Sequence, residues 1–184
     1  MTALAGPFLI ICTILGLGGI AKLWAPIPAR RALQAASINV PLAAVRALGL
    51  SEVALACAAV FRGGTFLPIV VGMAYVAFAA FVIVILRVGD GATCGCFGSA
   101  SAPPSALHVV VNLASAAAAF GAVGTNGLFT TLDGPTSESV ALVLLVGVGF
   151  YSLFLVLTAL PVLLAPPQQQ VAEFSLSTTR SDHS

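Results

Sequence analysis

The most reactive side chains of this chain are its four cysteines, Cys12, Cys57, Cys94 and Cys96. Cys94 and Cys96 form Cys-Gly-Cys, in which Gly95 permits the backbone distortion that a bond between such close sulfurs demands. A disulfide of this kind is strained, and strain makes it easily reduced, suited to exchange rather than to holding a fold together. The tripeptide alone is equally compatible with two loop cysteines that have no role. A metal site is the other use for Cys-Gly-Cys, but structural zinc takes four ligands and the nearby imidazole is His108 alone, so no metal is expected. Cys12 and Cys57 each lie about ten residues, roughly 15 Å of helix, from the face that carries the pair. They are expected to be buried small hydrophobes that approach one another but not the pair.

Charge around the pair favours the reactive reading. Lys22, Arg46 and Arg87 fall at the ends of apolar runs that, if the runs alternate, bring all three cations to the face of Cys94 and Cys96. Cations near a thiol stabilise the thiolate, the form that attacks a disulfide. Glu52 is the natural counter-charge for Lys22 or Arg46. Six residues at about 100° each place Arg46 and Glu52 about 120° apart, close enough for both to avoid lipid. The plainer reading makes these cations boundary residues, which fits Arg87 better than Arg46 with its apolar neighbours. His108 and Asn112, one turn apart, can relay protons or simply make an interhelical hydrogen bond.

These residues must be positioned by a membrane bundle. Of 184 residues 59% are hydrophobic and only 7% charged, against about a quarter charged in soluble domains, and the mean hydropathy is +1.10. Seven Lys and Arg against six Asp and Glu form no basic tract, which excludes nucleic acid as a partner. Five spans are expected over 3–21, 41–61, 68–86, 107–123 and 140–164. Met1-Thr2 carries no basic n-region, so the first run reads as a retained span rather than a cleaved leader. Residues 26–40, with Pro26, Pro28, Arg30 and Arg31, read as a loop with an interfacial helical turn. Residues 166–184, polar and Ser/Thr-rich, are expected to be a disordered tail outside a bundle of residues 1–165. No repeat period suggests an inverted-repeat transporter.

The segment Thr93-Cys94-Gly95-Cys96-Phe97-Gly98, between the third and fourth spans, resembles the signature of the methylamine utilisation protein MauE family within the wider MauE/DoxX group. Lys22 closing span one, Arg46-Ala47-Leu48-Gly49-Leu50-Ser51-Glu52 entering span two, Arg87 before the loop and Asn112 in span four agree with that layout. The resemblance covers about residues 5 to 125, and Gly95, Phe97 and Gly98 then shape the loop. It implies a bacterial inner-membrane protein that works beside a thioredoxin-like partner in maturing a disulfide-containing extracytoplasmic client, as in methylamine dehydrogenase maturation.

The expected fold is all-α, a polytopic transmembrane helix bundle with a four-helix core and a fifth span packed outside. The leading function is thiol–disulfide exchange by Cys94 and Cys96, assisted by Lys22, Arg46 and Arg87 with Glu52 as counter-charge. That would make the chain a thiol–disulfide oxidoreductase. A quinone in the bundle is a conceivable electron carrier, although no ring-binding pocket is readable. The alternative is a non-enzymatic assembly factor or accessory subunit in which the two cysteines staple a loop. Orientation is contested. Lys22, Arg30, Arg31, Arg46, Arg87 and Arg180 fall on the Cys-Gly-Cys side and Arg62 on the other, which by the positive-inside rule places the loop in the cytoplasm. Persistence of oxidised cysteines favours the extracytoplasmic face, and that placement is expected because cations held in a site report poorly on orientation.

Overall fold

A computed structural model describes residues 5–88, 105–126 and 136–158. Among the described residues there are six helices: α1 (Ala5–Trp24), α2 (Pro26–Ala35), α3 (Leu42–Arg62), α4 (Phe66–Val88), α5 (Ala106–Gly121) and α6 (Thr136–Thr158). Three of them, α1, α3 and α4, are long and apolar enough to cross a membrane, and Ala106–Gly121 and Val143–Val156 are shorter apolar helices. The fold is an all-α membrane bundle. The tail 166–184 lies outside the described residues.

Proline and glycine set the helix boundaries. Ala25 precedes Pro26 and is pushed out of the helical region (φ −126°, ψ 73°), which ends α1. Pro26 then starts α2, where its missing N–H is an orphan in any case. Residues 26–35 thus form a ten-residue helix, more than the single turn expected, because both prolines fall in its first turn and leave the ladder behind them intact. Pro41, extended at φ −67° and ψ 156°, precedes α3. The α3–α4 turn needs positive φ at Gly63 (58°) and Gly64 (90°), which glycine adopts without a Cβ penalty. These two residues (β1) pair antiparallel with Thr125–Asn126 (β2), and Gly124 N–H donates to the Gly64 carbonyl at 3.1 Å. The bridge fastens the α3–α4 turn to the end of α5.

The core lies where four helices converge. Phe8, Ile11, Cys12 and Leu15 of α1 meet Ala56 and Ala59 of α3, Val71 and Tyr75 of α4, and Ala116 and Ala119 of α5. Tyr75 donates its hydroxyl to the Ile11 carbonyl at 2.6 Å, tying α4 to the backbone of α1. Helix α6 packs on the outside of α1, where Gly149 leaves room for Ile10. Its outward residues Val143, Leu144, Val148 and Tyr151 are exposed.

The tightest contact is between α1 and α3. A Cβ on Gly19 would stand 2.6 Å from the Gly49 carbonyl oxygen, and a Cβ on Gly49 would stand 2.6 Å from that of Gly19. Both neighbours are backbone atoms, so neither can yield without moving a helix. Two small residues thus let the backbones approach and fix the depth at which the helices cross. Replacing Gly19 or Gly49 by Ala is expected to cost about 1–3 kcal/mol through overpacking. Thermal unfolding of the purified protein in detergent reads this as a lowered Tm, whereas Gly147→Ala, where a Cβ meets nothing within 4 Å, does not lower it.

Candidate functional site

The buried face of α3 runs Val45, Gly49, Glu52, Ala56, Ala59, at spacings of three and four. This face holds Glu52 against the last turn of α1, where Lys22 is the buried cation. The Gly19–Gly49 approach lies immediately beside them and brings the two charges together. Lys22 Nζ donates to Glu52 Oε2 at 2.8 Å, with the side chains only 10% and 5% exposed. The same ammonium lies 3.4 Å from the Gly18 carbonyl oxygen and 5.6 Å from the centroid of the Phe78 ring. Carbonyl, carboxylate and aromatic face thus surround the cation with negative potential. Glu52 Oε1 is buried and has no hydrogen-bond partner among the described residues.

Beside this pair lies a partly open cavity of about 290 Å³. Its walls are mostly apolar and include Phe78, Phe81 and Leu33, while its polar contributions come from Lys22, Glu52, His108, Asn112 and Ser115. At the start of α5, Ser105 leaves its capping position unused, and its hydroxyl lies 2.9 Å from His108 Nδ1. Asn112 donates its amide to the His108 carbonyl at 2.7 Å, so it serves α5's own backbone while also facing the cavity. His108 is buried.

The structure therefore unites Lys22, Glu52, His108 and Asn112 around one cavity. Arg46 is not among them. It sits one position beyond Val45, off the buried face of α3 that carries Glu52, and is exposed. Arg87 is exposed in the last turn of α4. Cys12 is fully buried, but Cys57 is exposed, which corrects the expectation that both are buried; it follows Ala56 and faces away from the core. Cys94, Gly95, Cys96, Phe97 and Gly98 lie outside the described residues. Among the described residues no three His, Cys, Asp or Glu side chains gather as a metal site. Sequence reasoning missed the cavity and its aromatic walls, because Phe78 and Phe81 are indistinguishable in an apolar run from residues that face lipid.

A buried pair is strongly destabilising to break from one side and often neutral to replace whole. Lys22→Met alone is expected to cost about 3–5 kcal/mol, while Lys22→Met combined with Glu52→Leu recovers most of that loss. Unfolding of the two variants in detergent checks the order of their midpoints.

In comparison with known proteins, residues 1–125 match the family described as methylamine utilisation protein MauE. No curated protein and no solved structure matches the chain.

Proposed function

From the premise that the chain belongs to the methylamine utilisation protein MauE family, we propose that this multi-pass membrane protein is a thiol–disulfide redox protein. It supports the maturation of a disulfide-containing extracytoplasmic client, together with a thioredoxin-like partner. The observation that carries this reading is Cys94-Gly95-Cys96, which falls within the matched residues 1–125 and follows α4 in the chain.

The exchange balances in two steps. A loop thiolate attacks the disulfide of the thioredoxin-like partner, forming a mixed disulfide and releasing one partner thiolate. The second loop cysteine, as thiolate, attacks the mixed disulfide, so the loop ends oxidised and the partner leaves as a dithiol with two electrons more. The same steps in reverse pass the disulfide to the client, whose two thiols supply the electrons.

The fold supports a favourable setting for that chemistry. The α3–α4 turn and the end of α5 share one end of the bundle. The starts of α3 and α5 and the last turn of α4 therefore belong to the opposite end, with Arg46, Arg87 and His108 upon them. In the chain, residues 89–104 fall between α4 and the start of α5. Lys22 is neutralised by Glu52, so in this reading stabilisation of a thiolate falls to the exposed Arg46 and Arg87, and Lys22 and Glu52 shape the bundle beneath. The proposed placement is the bacterial inner membrane with the loop on the extracytoplasmic face, where oxidised cysteines persist.

Single Cys94→Ser and Cys96→Ser variants test the proposal. One of them is expected to accumulate a mixed disulfide with the thioredoxin-like partner, seen as a reducible band on a non-reducing gel, and the double variant is expected to abolish client maturation. Full maturation in the double variant would refute the redox role. Labelling of the loop thiols by an impermeant alkylating reagent in whole cells confirms the orientation, while labelling only in inverted vesicles reverses it.

A further inference from the structure

The walls of the cavity are mostly apolar, and the polar side chains among them are largely committed to the protein itself. Lys22 donates to Glu52 Oε2 and the Gly18 carbonyl, Asn112 to the His108 carbonyl, and Tyr75 to the Ile11 carbonyl. The other carboxylate oxygen, Glu52 Oε1, has essentially no accessible surface and offers nothing to a guest. A guest that fills this space is therefore apolar where it meets these walls, because a polar group buried without a partner is costly. The wall residues on α1 run from Ile14 to Lys22, about 12 Å of helix. Leu48, 41% exposed on α3, and Ala77, exposed on α4, belong to the same wall, so the cavity communicates with the outer surface of the spanning helices.

The other end of such a guest is set by α2, whose Ala29 and Leu33 form part of the wall. Trp24, 88% exposed just before α2, and the exposed Ile27 within it place this helix at the level of the lipid headgroups. Half-buried Arg30 lies about 60° around α2 from Leu33, and exposed Arg31 follows it. Glu52 is the only acidic residue in α1 to α5 and is held by Lys22, so among the described residues neither arginine has a carboxylate partner. An apolar cavity beside two uncompensated cations at headgroup depth is complementary to an anionic amphiphile. From this geometry we infer that the cavity and α2 form a binding site for one anionic phospholipid, with an acyl chain in the cavity and the phosphate against Arg30 and Arg31. This site is independent of the cysteine exchange.

Native mass spectrometry of the purified full chain in non-ionic detergent, titrated with dioleoyl phosphatidylglycerol or dioleoyl phosphatidylcholine, reads how many phospholipids stay bound and at what concentration. Phosphatidylglycerol is expected to bind as one molecule per chain, about tenfold or more tightly than phosphatidylcholine with the same acyl chains. Arg30→Gln/Arg31→Gln, which keeps the wall face of α2 intact, is expected to bring the two lipids level. Glycerol phosphate, a soluble headgroup without chains, is expected not to displace the lipid. Val111→Trp, which fills the cavity from its α5 wall, is expected to weaken both lipids; Leu33→Trp fills it from α2 where the first variant does not fold. Equal binding of the two lipids to the unaltered chain would overturn the inference, as would a preference that survives in the double arginine variant. Displacement by glycerol phosphate would assign the arginines to free phosphate, and lipid binding undiminished in a folded cavity-filling variant would put the acyl chains on the outer surface; either result removes the proposed site.

Discussion

An ammonium and a carboxylate buried 2.8 Å apart between α1 and α3 set the terms for the rest of this bundle. Neither charge is tolerable alone inside an apolar bundle, because desolvation costs several kcal/mol per ion, of the order of the stability of a whole domain. The two helices must therefore meet at one depth and one rotation. The glycines at 19 and 49 make that meeting sterically feasible, and the pair in turn makes any slippage of the helices expensive.

The same contact organises the neighbouring elements. Once Lys22 is turned inward, Phe78 of α4 comes under its ammonium, and about 120° around α4 Gly72 meets Phe120 of α5. The hydroxyl of Tyr75, one turn before Phe78, reaches the α1 backbone. Side chains of this size cannot close the space between α1, α4 and α5 completely, and the cavity is what remains. Short α2 lies across its margin through Ala29 and Leu33.

Much of the architecture was legible in the chain. Apolar runs bounded by Lys22-Leu23-Trp24, Pro41, Arg62-Gly63-Gly64 and Arg87 announce helices and their ends, since charge, proline and glycine act locally. Helix α2 was harder, because its two prolines suppress a helical reading unless they are placed in the first turn. The partner of Glu52 was not readable at all: Lys22 and Arg46 were equivalent candidates until the close approach of Gly19 and Gly49 turned one inward and the other out. Cys57 shows the same limit, as its neighbour Ala56 takes the buried position and a shift of one residue rotates a side chain by about 100°. The chemistry of the Cys94–Cys96 segment is read from its residues and from family membership, and lies outside the described residues.

The small antiparallel clasp between Gly63–Gly64 and Thr125–Asn126 has a mechanical consequence. It pins three helix termini at one pole of the molecule, so tilting of α4 or α5 takes that pole as its fulcrum and grows in amplitude along the helix axes. The helices behave as levers whose long arms point toward the pole that carries Arg46 and Arg87, and the Tyr75 hydroxyl acts as a latch partway along. Widening of the bundle is thereby channelled to the pole opposite the clasp.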